Sequence, residues 1–276
     1  MKKTFLKTSL LILTILLVAV LSLTVCAAKK DLTIALSFPT RNSSFWQKAL
    51  KFAQQAADQL DFRLIAIDND RLEDRQVNDV ESLVTMGVDA IVICPNTTAI
   101  APKLMDLAEK AGVPFVFIDR DPGEDFADWE NYVAFVGQND ETAAYRMAKA
   151  LIDAGAKNIA AIGGVKGTAN ADVREVGLRK AIEEFKDQGV TLLDYQSCRG
   201  ERNEAFPIAE DYLTAYPQMD ALKPYCDEQA MGAIKAAENA GRNDDILFAS
   251  MDLTAEAIQK VKDGDLLFTI GGHWCH

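Results

Sequence analysis

The chain has 276 residues, 49% of them hydrophobic, and carries 41 acidic against 29 basic side chains for a net charge of −12. That is enough apolar mass for two lobes with cores of their own, and the acidic surplus argues against nucleic acid or an acidic surface as partner. The two histidines both fall in the last four residues, which argues against a histidine-based metal site or catalytic triad.

At the N-terminus, Lys2, Lys3 and Lys7 precede an uncharged stretch over 8–28, followed by Lys29-Lys30-Asp31. Basic residues, an apolar core and small residues in that order read as a secretory signal over residues 1–28. Three fates stand: cleavage after Ala27 or Ala28, lipidation of Cys26 in the box Leu23-Thr24-Val25-Cys26, or retention as a membrane anchor. Val25 stands in that box where a small residue is expected. All three fates put the body outside the cytoplasm, in the periplasm or an equivalent compartment. Beyond Cys26, the thiols Cys94, Cys198, Cys226 and Cys275 are too few and scattered for a disulfide-built scaffold, and none has a CxxC spacing. They read as free and mostly buried, although one bridge is compatible with an oxidising compartment.

From Leu32 onward strands and helices alternate. Strands are expected over 33–38, 62–67, 90–93, 115–118 and 132–136, with helices over 45–60, 73–86 and 98–111. The runs Ala90-Ile91-Val92-Ile93 and Phe115-Val116-Phe117-Ile118 are too short for helices and rich in β-branched and aromatic residues, as buried parallel strands are. The pattern then restarts, with helices over 140–154, 172–187, 203–215, 228–240 and 255–262. The strands of this second series are expected over 159–162, 190–195, 220–225, 246–250 and 266–270. Two βα series of similar size predict an α/β protein of two doubly wound, Rossmann-like parallel-sheet lobes, over 29–136 and 137–272. The short join at 133–140 is what a hinge needs. The sequence stops at Gly271-Gly272-His273-Trp274-Cys275-His276 straight after a strand. That ending reads as a truncation, with 273–276 the start of a return to the first lobe.

Ligands of open parallel sheets bind beyond the carboxyl ends of the strands. Asp119-Arg120 sits at such an end. A carboxylate beside a guanidinium can accept from and donate to one polyhydroxy ligand, and it can equally be a surface ion pair. Phe45 and Trp46, after the first strand, and Trp274 offer rings for the C–H face of a sugar; Phe45 and Trp46 could instead seat the first helix on its sheet. Gly163-Gly164-Val165-Lys166-Gly167 has neither a GxGxxG nor a Walker spacing and reads as a tight strand-to-helix turn. Asp119, Asp172 and Asp252 have no paired nucleophile and base beside them, so no catalytic constellation is visible.

These residues carry a resemblance. TIALSF and FW within 33–46, GVDAIVICP at 87–95, AGVPFVFIDRD at 111–121, REVGL at 174–178, CDEQAMGAIKA at 226–236 and DGDLLFTIGG at 263–272 resemble the bacterial periplasmic sugar-binding proteins of the ribose-binding type. That family shares its fold, periplasmic binding protein-like I, with the ligand domains of lac-repressor-type regulators. The resemblance spans about 32–272. It implies a non-enzymatic, monomeric protein that needs no cofactor or metal and binds a small sugar or polyol between two hinged lobes. Its partner would be the membrane permease of an ABC importer or a membrane sensor, and not nucleic acid; a sugar-active enzyme is the rival from another class.

Carried over residue by residue, the resemblance implies Asn42, Ser43, Phe45, Trp46, Asp119 and Arg120 on the first lobe. On the second it implies Asp172, Cys226, Asp227, Asp252 and the His273-Trp274 region. Asp172 takes the place of an arginine at the entry to the second-lobe helix over 172–187, with Arg174 at a helix position. Cys226 stands for an asparagine, Met251 for an aromatic and Gly272 for a glutamine, so ribose itself fits less well than another sugar, a polyol or a furanose-like signal. The family's last strand and helix are absent, which implies an exposed apolar edge on the first sheet and low stability.

Overall fold

The computed structural model describes residues 32–123 and 128–271. The first half alternates β1 (Thr33–Phe38), α1 (Ser44–Leu60), β2 (Arg63–Asp68), α2 (Glu73–Met86), β3 (Ala90–Ile93), α3 (Ala101–Ala111), β4 (Phe115–Ile118) and β5 (Tyr132–Val136). The second half runs α4 (Asp140–Asp153), β6 (Asn158–Gly163), α5 (Ala169–Glu184), β7 (Thr191–Ser197), α6 (Arg202–Ala215), β8 (Ala221–Pro224), α7 (Asp227–Asn239), β9 (Leu247–Met251), α8 (Ala255–Asp263) and β10 (Phe268–Ile270).

The strands form two five-stranded sheets, ordered β2-β1-β3-β4-β5 and β10-β9-β8-β6-β7, with parallel pairing throughout. Read by position within each half, both orders are 2-1-3-4-5, so the second half repeats the first. In such an order the chain reverses direction across the sheet beside its first strand, which opens a crevice at the strand ends.

Each sheet is covered on both faces, and successive strand residues divide between the two covers as the period of two requires. In β6, Ile159 and Ala161 pack with Met147, Leu151 and Leu178 of α4 and α5. Ala160 and Ile162 pack with Ala209, Tyr212 and Ala233 of α6 and α7. In the first half, α2 and α3 bury Val80, Leu83, Leu104 and Met105 against Ile91, Ile93, Phe115 and Phe117. The opposite face seats Trp46 and Ala49 of α1 on Leu36, Phe38 and Ile118.

Helices α4 and α5 touch through Gly177: a Cβ there would stand 2.1 Å from the carbonyl oxygen of Glu141. Helix α5 begins at Ala169 after Thr168, three residues before the predicted start and ending three residues earlier as well. A 3-10 turn at Thr98–Ile100 precedes α3 within the predicted 98–111 helix.

Candidate functional site

The carboxyl ends of the two sheets face one another, and their loops enclose a cavity. On the first-half side, the loop after β1 turns into α1 at Ser43 and delivers Phe45 and Trp46 in the first helical turn. Trp46 is buried, stacked on Phe38 at 6.0 Å between centroids, with Phe45 edge-on at 5.1 Å. Trp46 therefore seats α1 on its sheet and also lines the cavity.

Asp119 follows β4 in the left-handed region, φ 64°, its backbone N–H donating to the Val136 carbonyl. That turn points the carboxylate inward, where Oδ2 accepts from Nδ2 of Asn170 on α5 at 3.3 Å. Arg120 lies along the end of β3, its Nη1 donating to the carbonyls of Pro95 (3.0 Å) and Asn96 (2.8 Å). Its Nε is 4.0 Å from Asp119 Oδ2, buried and without a hydrogen-bond partner. Burial pushes the neighbouring Cys94 thiol well up, so it stays protonated.

The second-half side contributes Val165, Thr168, Asn170 and Arg174 from the turn after β6 and α5, and Arg199 and Gly200 from the loop after β7. Tyr225 and Cys226 follow β8, and Asp252 follows β9. Arg174 is buried. Its Nε meets Asp140 Oδ1 at 2.6 Å, Nη1 donates to the Tyr225 carbonyl at 3.3 Å, and the guanidinium lies 4.3 Å from the Tyr225 ring centroid. Burial first, then the charge of Asp227, pushes the Asp252 carboxyl well above its usual range. The two glycines after β6 make room for aromatic side chains: a Cβ on Gly163 would stand 2.2 Å from the Tyr195 hydroxyl, and one on Gly164 would stand 2.8 Å from the Tyr225 ring.

Of the residues singled out from the sequence, Ser43, Phe45, Trp46, Asp119, Arg120, Cys226 and Asp252 line this cavity. Asn42 does not; it borders an adjoining cavity. Asp172 is exposed and accepts from the Gly167 backbone N–H at 3.3 Å, bracing the turn instead of facing the cavity. Asp227 is buried but fully engaged by the Ser250 and Thr269 hydroxyls and the Thr254 N–H. His273 and Trp274 lie outside the described residues. Arg71, Asn170, Arg174, Arg199 and Tyr225 line the cavity and were not singled out as binding residues.

One misplacement accounts for Asn170 and Arg174. With α5 starting at Ala169, these two are four residues apart and share a face, while Asp172 between them is rotated away by roughly 200°. On this helix it is Arg174, and not Asp172, that lines the cavity.

Among the described residues, four contacts cross the cleft: Asn170 to Asp119, the Thr98 N–H to the Gly167 carbonyl (3.1 Å), the Ser44 hydroxyl to Glu228 (3.0 Å), and Arg71 to Glu201 (2.7 Å).

The periplasmic binding protein domain family matches residues 34–273. The chain belongs to this family. It is 30% identical over 246 residues to the ribose import binding protein RbsB of Bacillus subtilis (strain 168), covering 88% of this chain and 76% of that protein. Among solved structures, an ABC transporter periplasmic solute binding protein from Actinobacillus succinogenes 130z with bound D-allose aligns at 30% identity and TM-score 0.77, over 85% of this chain and 83% of that one. An ABC transporter solute binding protein from Bacillus halodurans C-125 with bound myo-inositol aligns at 25% identity and TM-score 0.81, over 90% and 85%.

Proposed function

We propose that this protein is an extracytoplasmic, non-enzymatic solute-binding protein that captures a small sugar or polyol between its two lobes for the permease of an ABC importer. The observation that carries this reading is the set of polar groups converging on one cavity from both sheets. Asp119 and Asp252 offer acceptors, Arg120 and Arg174 offer donors, and Trp46 and Tyr225 offer ring edges and faces. Hydroxyls pair with fixed donors and acceptors of this kind, and C–H faces pack on aromatic rings.

The 137–139 segment serves as the hinge, and the four cross-cleft contacts belong to a closed form in which the surface presented by both lobes differs from the open one. The membrane partner reads that difference. Family membership and the names of the relatives, which are import binding proteins, support the same reading.

A thermal-shift screen of the full chain against neutral sugars and polyols tests it. A ligand raises the melting temperature through its preference for the folded state, and Asp119→Ala or Arg120→Ala removes that rise. If no compound raises it, or both variants respond as the parent does, the site is wrong.

A further inference from the structure

The charge lining the cavity is not what a neutral sugar alone requires. In a chain with a net charge of −12, four arginines line this cavity among the described residues, Arg71, Arg120, Arg174 and Arg199, against two carboxylates, Asp119 and Asp252. Burial and the neighbouring Asp227 oppose the ionisation of Asp252.

Two of the arginines already suffice for a hydroxyl-bearing ring: Arg120 on one wall and Arg174 on the other, each with a carboxylate beside it on its own side of the cleft. Arg71 and Arg199 are additional. Arg71 follows β2 in a left-handed conformation, φ 59°, and Arg199 follows β7, so they approach from opposite halves of the fold. Both also border the adjoining cavity, of about 490 Å³, which Asn42 and Asn203 line as well. They therefore stand where the two cavities meet.

Their protein partners are at the rim. One Arg71 nitrogen is held by Glu201 at 2.7 Å, and Arg199 is 3.8 Å from Glu204 with most of its side chain exposed. A guanidinium has five N–H donors in a planar fork suited to a carboxylate or phosphate, and a single rim carboxylate leaves most of them free for a ligand. Deeper in, the buried Nε of Arg120 has no hydrogen-bond partner.

We infer that the ligand is a polyhydroxy anion, a sugar acid or a sugar phosphate, whose hydroxylated carbon frame lies between Asp119–Arg120 and Arg174 and whose anionic group is received by Arg71 and Arg199 at the mouth of the cavity. This rests on the sugar-binding reading above and narrows its substrate class.

Isothermal titration of the full chain tests it with three groups of compounds: D-ribose, D-xylose and myo-inositol; D-ribonate, D-xylonate and D-glucuronate; and D-ribose 5-phosphate. The expected result is that an anionic member binds at least about tenfold tighter than its neutral parent and that the advantage shrinks as salt is added. The acid and phosphate arms identify which anion is taken. Arg71→Gln combined with Arg199→Gln brings the anion-to-neutral affinity ratio towards one. Neutral parents binding as tightly as their acids and phosphates would overturn the inference and leave the sugar-binding reading standing. Binding of none of these compounds would overturn both.

Discussion

Arg174 and Asp140 form a buried ion pair, Nε to Oδ1 at 2.6 Å, that ties the cavity wall to the first residue of α4. The segment 137–139 immediately before that residue joins the two halves of the fold, so the pair links the candidate site to the place where the halves connect. Burial lifts the Asp140 carboxyl, and the Arg174 charge pulls it back. Asp140→Ala leaves Arg174 buried without its counter-charge. The expected cost is about 3 kcal/mol or more of folding stability, with weaker ligand binding as the guanidinium loses its orientation. Urea unfolding beside ligand titration checks both; unchanged stability would show that the pair is not the anchor described.

Asp119 is in the left-handed region, so alanine there carries a backbone cost of about 1 kcal/mol in addition to the loss of the carboxylate. Asparagine tolerates that conformation and isolates the charge. Asp119→Asn is expected to keep the melting temperature near the parent's while lowering ligand affinity by about 1.5–3 kcal/mol, the worth of a hydrogen bond to a charged group. A variant that binds as well as the parent removes Asp119 from the site.

Lys223 on β8 is buried, and burial together with the charge of Arg174 pushes its pKa down to about 7. The unfolded chain keeps the ordinary value of 10.5. Between these values the unfolded state binds more protons, so this group makes the fold more stable as pH rises from about 7 towards 10.5. Below about 7 both states are charged and its full cost is present. Lys223→Met should remove this dependence, and the stability difference between parent and variant, followed by urea unfolding across that range, reveals it. A difference that stays flat with pH contradicts a neutral buried amine.

Alanine normally improves a helix interior over glycine by about 1 kcal/mol. Gly177→Ala should do the reverse, because the added methyl would stand 2.1 Å from the Glu141 carbonyl and force α4 and α5 apart. A loss of roughly 1–3 kcal/mol is expected, as for overpacked cores, read as a lower denaturant midpoint. A stabilised variant would mean that the helices can separate freely.

Much of the fold was legible because buried parallel strands announce themselves. Runs such as Ala90–Ile93 and Phe115–Ile118 are continuous and β-branched or aromatic, and Gly87 and Gly112 end the helices α2 and α3 in the left-handed conformation that glycine favours. The lining of the candidate site was legible where residues come straight after a strand, as Asp119, Arg120 and Asp252 do. It was not legible at α5, which begins at Ala169 and not at 172, and so takes Asn170 into its first turn on the face shared with Arg174. Asp227 looked like a ligand group because it begins a helix after a strand, yet three neighbouring donors use its oxygens. Arg71 and Arg199 belong to no shared motif. Only the opposition of the two sheets brings them to one cavity.

The most direct question is whether a polyhydroxylated molecule binds where Arg120 is locked to the carbonyls of Pro95 and Asn96. Isothermal titration of the full chain and of Arg120→Lys, against neutral sugars, polyols and their acids, measures this directly. Lysine keeps the charge but cannot span both carbonyls and a ligand with one ammonium group. The expected result is one-to-one binding of at least one compound to the parent and a loss of about tenfold or more in the variant. Binding of no such compound, or equal binding to both proteins, would contradict it.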